Sequence, residues 1–295
     1  MNQPLLHVMI PAYGKSPYLR KTLETAVKNL SSEVLISVVE DPHPEFDLKK
    51  IVDEFPRVTY FKNTHRLGVG GNFNRCIELS QGKFTQICGS DDLIIDDPTK
   101  YISNNLEEDS IAAIGFDVNI INENDKLTNP LPDKIKYLLR PKMNQIEVFK
   151  KDKIFKNLML GDWLYFPAIL WNTKLIKQFK FNENYHTAMD LDMFIKIFSN
   201  NKTIAFVKQK TLFYRRHQES ESSKYAKSEG RFNEEFECHK VAIKIAKANN
   251  LNGVKFFAQL ALTVRLHALF QAILIIPQSP KLAVKLFLKG ISPIS

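Results

Sequence analysis

Two adjacent carboxylates, Asp91 and Asp92, follow a short apolar run at residues 84–88 and a Gly89-Ser90 break. The run predicts a buried strand, and the break places both acids at the carboxyl end of that strand. Open α/β sheets bind their ligands at this edge. Two neighbouring carboxylates repel each other, and a hard divalent cation that also contacts substrate phosphates relieves the repulsion. The alternative is that the two acids only cap the segment after the strand.

A third carboxylate, Asp190, stands where a polar segment becomes an amphipathic helix. The pattern predicts Thr187 as the N-cap and places Asp190 in the first helical turn, beside the positive end of the helix dipole. Asp190 could therefore serve acid–base chemistry, or it could only stabilise the helix. Asp192 lies two residues further on, and helical geometry points it away from Asp190.

Two further segments could bind phosphate groups. Arg215, Arg216 and His217 stand ahead of a serine-rich loop, and residues 63–72 form a polar, glycine-rich loop that contains Arg66. Arginine side chains and backbone amides at helix starts both bind phosphate oxygens. The alternatives are a solvated charge run and an ordinary flexible turn.

Residues 158–171 are dense in aromatic side chains, among them Trp163 and Trp171. Such a group suits a sugar or another flat ligand. It suits a hydrophobic core equally well, and both interpretations stay open.

The elements that would position these residues alternate between strand and helix. Residues 5–10 and 34–39 are predicted buried strands, and residues 19–30 between them carry apolar side chains at helical spacing. Strand, helix and strand at this spacing predict a βαβ unit and a parallel sheet. Further strands are expected at residues 58–61, 84–88, 111–121, 204–207 and 211–214. Residues 125–150, which contain three prolines, are expected to form a long excursion outside the sheet.

Composition indicates a globular protein of 295 residues, with 44% apolar and 25% charged side chains. Cys76, Cys88 and Cys238 are too few and too far apart for a disulfide framework or a zinc finger, which favours reduced thiols in the cytosol. The N-terminus lacks the basic segment and cleavage site of a secretory signal.

The excess of positive charge, +9 overall, is concentrated near the C-terminus, since residues 238–295 contain no Asp or Glu. Residues 254–276 predict a helix with a narrow polar stripe, interrupted too often by polar residues to be a good transmembrane span. Lys281, Lys285 and Lys289 then recur among apolar residues, which is typical of a helix on an anionic membrane surface. The alternative is packing on the rest of the chain or in a homodimer.

Together these segments resemble the family 2 glycosyltransferases of the GT-A fold, inverting enzymes that use nucleotide-diphosphate sugars. The resemblance covers residues 5–220 and rests on the order of several motifs. Ile10-Pro11-Ala12-Tyr13 looks like the first-strand ending that lines the nucleotide pocket, and Glu40 takes the place of the family's base-contacting Asp. Residues 63–72 resemble the family's Asn-x-Gly loop. The donor-binding residues that this implies are Pro11, Ala12, Tyr13, Glu40, Arg66, Asn72, Ser90 and Asp91.

The same resemblance assigns the chemistry. Ser90-Asp91-Asp92 is similar to the family's metal motif, with Gly89 in place of its first acid, and implies Mn²⁺ or Mg²⁺ as cofactor. Met189-Asp190 matches the Glu-Asp motif, which makes Asp190 the catalytic base. Arg215-x-His217 resembles the diphosphate-binding Arg-x-His. The implied sets are Asp91, Asp92 and His217 for the metal, Arg215, Arg216 and His217 for the diphosphate, and Trp163 and Asp192 on the acceptor side.

The resemblance implies an α/β fold of the GT-A type, with a mostly parallel sheet flanked by helices and a C-terminal helical appendage. Residues 1–225 would form the catalytic domain and residues 226–295 the basic, apolar region. The expected activity is a hexosyltransferase reaction from a UDP-sugar or related donor to a hydroxyl of a cell-surface glycan, such as lipopolysaccharide or capsule, or of a lipid-linked precursor. It would take place on the inner face of the cytoplasmic membrane, without nucleic acid. The alternatives are a nucleotidyltransferase of similar fold and a non-catalytic nucleotide- or nucleic-acid-binding protein.

Overall fold

The computed structural model describes residues 3–217, 225 and 228–294. Its centre is a nine-stranded sheet in the order β3-β2-β1-β4-β8-β6-β9-β5, with β7 paired to β9. The strands are β1 Leu6–Tyr13, β2 Leu35–Asp41, β3 Val58–Lys62, β4 Phe84–Ile87, β5 Leu93–Ile94, β6 Ile111–Ile121, β7 Ile146–Val148, β8 Ile169–Asn172 and β9 Thr203–Arg215.

Helices flank this sheet. They are α1 Leu19–Asn29, α2 Lys49–Val52, α3 Gly68–Leu79, α4 Leu131–Leu139, α5 Lys151–Leu160, α6 Thr173–Phe179, α7 Met189–Ser199, α8 Glu229–Ala248, α9 Asn252–Leu260, α10 Leu262–Ile275 and α11 Pro280–Ile291. Short 3₁₀ turns lie at Pro98–Tyr101, Asn104–Leu106 and Phe166–Ala168.

The N-terminal half of the sheet is parallel, as the predicted βαβ unit requires. β1 pairs in parallel with β2 and β4, and β2 pairs in parallel with β3. Nearly every residue of β1 is buried, because helices cover both faces of a central strand. The predicted α/β class is therefore confirmed. The second half is mixed, since β8 runs antiparallel to β4 and β6.

Residues 125–150 differ from the sequence expectation, because they contain a helix and a strand. Pro130 is the N-cap of α4 and Pro132 stands in its first turn, where the fixed φ of proline favours a helix start. β7 then pairs antiparallel with residues 205–207 of β9. The prolines that suggested an irregular excursion instead begin a helix at the edge of the sheet.

Two smaller expectations are also corrected. The two strands expected at residues 204–207 and 211–214 are one strand, β9, whose pairing with β6 contains register shifts. The N-cap of α7 is Ala188, not Thr187, and no side chain of its own caps this helix. The N–H of Ala188 instead donates to the carboxylate of Glu234, which lies in α8.

The C-terminal helices share a hydrophobic core with the rest of the chain. Phe232, Cys238 and Ala242 of α8 belong to the same buried cluster as Phe194 and Ile197 of α7. By length and composition the 24-residue stretch Asn252–Ile275 is apolar enough to cross a membrane, contrary to the sequence expectation. It is not one straight helix, because Ala261 adopts a left-handed conformation with φ of 42° between α9 and α10.

Two of the three lysines of the last helix lie near a carboxylate of α8. Lys285 and Lys289 lie 3.1 and 3.7 Å from the Glu229 carboxylate at the start of α8. Lys285 is nevertheless 62% exposed, and apolar side chains of α11 are exposed beside it, with Val284 and Phe287 each more than half exposed. Contact of this helix with a membrane therefore stays a prediction.

Candidate active site

The end of β9 brings the predicted phosphate-binding and metal-binding residues to the loop after β4. His217 Nε2 lies 2.7 Å from Asp91 Oδ2. The backbone N–H of Arg215 donates to Asp92 Oδ1 at 2.9 Å, and Arg215 Nε donates to the carbonyl of Asp91 at 2.7 Å. Asp91 and His217 therefore form one cluster at the carboxyl end of the central strands.

Asp92 faces inward from this cluster. It is 2% exposed, and burial, followed by the negative charge of Asp91, raises its pKa well above the usual range. Its hydrogen bond with the Arg215 backbone fixes the loop. The geometry separates the two adjacent acids, with Asp91 open to a ligand and Asp92 part of the scaffold.

The two arginines also have different surroundings. Arg215 is buried, with its guanidinium 4.2 Å above the Tyr18 ring and its Nη1 2.6 Å from Asp125. Its hydrogen bond to the Asp91 carbonyl stabilises the Asp91 loop. Its side chain is not exposed, so it is not accessible to a diphosphate in this structure. Arg216 is partly exposed, and its Nε and Nη2 donate to the two oxygens of Asp133 at 3.1 and 2.8 Å.

On the nucleotide side, the end of β1 presents an aromatic ring. Tyr13 is 40% exposed, with the Arg66 guanidinium 4.4 Å from its ring centroid and His43 at its edge. A nucleobase can stack beside such a ring. Ser90, from the Asp91 loop, lies 3.3 Å from the Ser16 hydroxyl. Pro11 is half-buried and Ala12 is buried behind Tyr13.

Glu40 is not open to a base, contrary to the expectation from its motif. It is 1% exposed, and its carboxylate accepts hydrogen bonds from the Leu48 N–H at 2.9 Å and the Tyr60 hydroxyl at 2.6 Å. Lys62 Nζ lies 3.0 Å from its other oxygen. Three partners hold this side chain inside the protein, so its carboxylate is not presented to a ligand in this structure.

The glycine-rich loop is likewise held by the protein. The Asp41 carboxylate accepts from the N–H groups of Leu67 and Gly68 at 2.8 and 2.9 Å. Asn72 is buried and bonds to Asn63 and to the carbonyl of Val39. Two amides that could have bound phosphate, and the predicted donor residue Asn72, are therefore part of the scaffold.

A second acidic cluster surrounds Asp190. Asp190 is half-buried, and its Oδ1 accepts from the Leu191 N–H at 2.8 Å. Asp162 and Lys136 lie close enough to Asp190 for their charges to interact. Lys136 Nζ also donates to the carbonyl of Leu164 at 2.5 Å. Neither Asp162 nor Lys136 was predicted as a site residue from the sequence. The local sequence shows Asp162 only as an acid that follows Gly161 at the end of a helix.

The two predicted acceptor-side residues, Asp192 and Trp163, make contacts within the protein. Asp192 pairs with Lys196 at 2.7 Å, one turn along α7. Trp163 is 3% exposed, donates from Nε1 to Asn157 and packs its ring against Phe206. Its burial favours the core interpretation of the aromatic segment.

Asp162 gives the fold a specific pH dependence. Burial, and then the charge of Asp190, raise its pKa to about 7, although Lys136 acts in the opposite direction. A carboxyl with a raised pKa stabilises the folded state fully at pH values below its unfolded pKa, and this stability is lost as pH rises through the folded pKa. We expect Asp162→Asn to raise Tm at pH 8, by about 2–4 °C for each kcal/mol of stability that wild type loses, and the difference to shrink as the pH falls from 7 towards the unfolded carboxyl pKa of about 4. A Tm difference between the two proteins that does not grow from pH 5 to pH 8 would contradict this assignment.

Residues 7–171 match the family model described as "Glycosyl transferase family 2". An uncharacterised glycosyltransferase of Methanocaldococcus jannaschii is 23% identical over 225 residues, which are 73% of this chain and 72% of that protein. The chondroitin synthase of Escherichia coli is 22% identical over 66% of this chain but only 26% of its own length.

Solved structures show the same fold. S. aureus TarS, residues 1–349 in complex with UDP-GlcNAc, superposes with a TM-score of 0.59 at 16% identity, covering 97% of this chain and 89% of that one. The mannosyltransferase PcManGT of Pyrobaculum calidifontis, in complex with GDP-Man and Mn²⁺, gives a TM-score of 0.54 at 13% identity, covering 98% and 80%. The family model spans more than half of the chain, and the fold and the order of the motifs agree with it. The chain belongs to glycosyl transferase family 2.

Proposed function

We propose that this protein transfers a sugar from a nucleotide-diphosphate donor, with UDP-sugars as the first candidates, to an acceptor hydroxyl with inversion. One observation carries the proposal: α4 links Arg216, beside His217, to the surroundings of Asp190. Its Asp133 binds Arg216, the neighbour of His217. Its Lys136 lies in the electrostatic environment of both Asp162 and Asp190. Residues three apart on a helix are about 5–6 Å apart, so the contact of α4 with Arg216 and its charged group near Asp190 come from neighbouring positions on one helix face.

The proposed roles follow from exposure and chemistry. Tyr13, with Pro11, Ala12, Ser90 and Arg66 around it, would bind the nucleoside, and Arg216 and His217 would neutralise the leaving diphosphate. Asp190 would accept the proton of the acceptor hydroxyl as it attacks from the face opposite the diphosphate. Direct displacement forms the new glycosidic bond as the anomeric carbon–phosphate bond breaks, which inverts the anomeric centre.

The residues present fit a divalent cation, Mn²⁺ or Mg²⁺. Within the described parts of the chain there is no cluster of three or more His, Cys, Asp or Glu side chains of metal-binding geometry. Asp91 and His217 nevertheless offer an oxygen and a nitrogen ligand 2.7 Å apart. Cations at phosphate sites commonly take one or two protein ligands and complete their shell with substrate phosphates and water. When bound, such a cation would stabilise negative charge on the leaving diphosphate.

We also propose a membrane-associated acceptor, either a glycan or a lipid-linked precursor, at the inner face of the cytoplasmic membrane. Residues 1–225 would then be the catalytic part and residues 226–295 the contact region, a boundary that falls where residues 226–227 lie outside the described structure. The support is a set of exposed apolar side chains on α9 to α11: Phe256, Leu262, Leu266, Phe270, Ile273, Leu274, Val284, Phe287, Leu288 and Ile291. Apolar faces of this extent on a soluble protein mark interaction surfaces.

The double variant Phe270→Glu/Ile273→Glu tests this contact. Its two side chains are 52% and 66% exposed on α10, so the change should not disturb the core. We expect sedimentation with phosphatidylglycerol-containing vesicles to fall about tenfold or more, since each apolar side chain contributes about 1.5 kcal/mol or more when buried. Leu127→Glu, at a side chain 71% exposed on a turn after β6, is the control. Unchanged sedimentation would reject the membrane contact, and loss of a wild-type dimer instead would assign the surface to self-association.

The activity itself is tested by nucleotide release across UDP-, GDP- and dTDP-sugars, with Mn²⁺, Mg²⁺ or EDTA. We expect release of one nucleotide that depends on added metal. A folded protein that neither binds nor turns over any of these donors would overturn the proposal, and release of pyrophosphate from a nucleoside triphosphate would favour a nucleotidyltransferase.

A further inference from the structure

Glu234 belongs to α8, in the C-terminal region, yet its carboxylate faces the segment that leads into α7. Its side chain is 7% exposed. One oxygen accepts from the backbone N–H groups of Thr187 and Ala188 at 2.9 and 3.2 Å, and from the Thr187 hydroxyl at 3.1 Å. The N–H of His186 lies 3.0 Å from both oxygens. One buried carboxylate thus binds three consecutive backbone donors.

Other side chains from the same part of the chain reinforce this contact. The Tyr225 ring stacks on His186, with ring centroids 4.6 Å apart and an interplanar angle of 14°. Cys238 lies one turn after Glu234 on α8, and its sulfur is 3.9 Å from the carbonyl of Ala188. Together they hold residues 186–188 from both sides.

Helix α7 needs such a partner, because it lacks a cap of its own. Its N-cap is Ala188, whose side chain cannot accept a hydrogen bond. Unsatisfied N–H groups at a buried helix start are costly, and a carboxylate there also interacts favourably with the helix dipole. Asp190 is the second residue of α7. The position of its carboxylate therefore depends on where α7 begins.

We infer that Glu234 is a positioning residue, which fixes the start of α7 and so holds the Asp190 carboxylate where it meets the acceptor hydroxyl. This inference rests on the proposed role of Asp190 as the base. The C-terminal region then contributes to catalysis as well as to any surface contact. A displacement of about 1 Å in a reacting group can lower the rate about 10²-fold, which sets the scale of the effect.

A purely structural role for Glu234 predicts a different outcome. If the carboxylate only joined α8 to the core, its loss would lower stability while the folded fraction kept its turnover. The two roles are separated by kcat measured on folded protein, by donor KM, and by amide hydrogen exchange at residues 186–191.

The test uses Glu234→Ala, Glu234→Gln and the control Glu237→Ala, all in the full chain. Glu237 lies on the same helix, and its half-exposed carboxylate is 3.7 Å from Lys240. We expect Glu234→Ala to lower kcat about 10- to 100-fold with donor KM within about twofold, and to speed exchange at residues 186–188. Glu234→Gln retains one acceptor oxygen, so its kcat and amide exchange should be closer to those of wild type than to those of Glu234→Ala. Glu237→Ala should match wild type in both.

Two results would overturn the inference. One is unchanged amide exchange at residues 186–188 in Glu234→Ala, which would show that the carboxylate does not fix the start of α7, whatever the activity. The other is faster exchange with unchanged kcat, which would show that the fixed start is not needed for turnover. Absence of transfer by wild type from every donor would instead reject the proposed function, while the exchange data would still test the contact.

Discussion

Asp190→Asn should lower kcat for sugar transfer about 10²- to 10⁴-fold, the contribution of a positioned general base. Asparagine keeps the size of the side chain and its hydrogen bond with the Leu191 N–H, but it cannot accept the acceptor proton. Donor binding should remain within about twofold of wild type, because the proposed role of Asp190 is to deprotonate the acceptor. The measurement is initial-rate kinetics together with calorimetric titration of the donor.

Asp192→Asn is the matched control for this variant, since Asp192 lies on the same helix two residues further on. Its carboxylate pairs with Lys196. We expect its kcat to fall less than about tenfold, the scale of losing one modest ion pair. A larger loss in Asp192→Asn than in Asp190→Asn would exchange the roles of the two acids.

The second large effect is expected for Asp91→Asn. Removing this charge should lower metal-supported turnover about 10²-fold or more, because several kcal/mol of charge stabilisation at the leaving diphosphate are lost. It should also raise the metal concentration needed for half-maximal donor binding. The measurement is donor titration and turnover at a series of Mn²⁺ concentrations.

Asp109→Asn is the control for this variant. Asp109 is an exposed carboxylate just before β6, at the opposite edge of the sheet, so its loss should change neither quantity. His217→Ala should share the direction of the Asp91→Asn effect, since the two side chains lie 2.7 Å apart. Wild-type metal dependence in Asp91→Asn would remove Asp91 from the metal site.

Local sequence signals predicted the elements that depend on local chemistry. The apolar run before Asp91 forms β4, and the Gly89-Ser90 break places the acids after it. Residues 19–30 carried the spacing of α1, which covers β1. These features follow from periodicity and turn residues, which a single sequence displays directly.

The features that the sequence did not predict depend on contacts between distant residues. Asp133 binds Arg216 across 83 positions, and Glu234 binds Thr187 across 47. Neither pair shows in a local pattern. Glu40 is an example of a local motif that predicted a contact the structure does not show. Its motif position suggested a ligand contact, but its carboxylate accepts hydrogen bonds from Leu48 and Tyr60.

The stereochemistry of the product tests the central claim most directly, because a single displacement assisted by one carboxylate base inverts the anomeric centre. The measurement is the anomeric configuration of the new glycosidic bond, read from proton NMR of the product formed by wild type with its preferred donor. The account predicts the configuration opposite to that of the donor sugar. A product with the donor's configuration would contradict direct displacement assisted by Asp190.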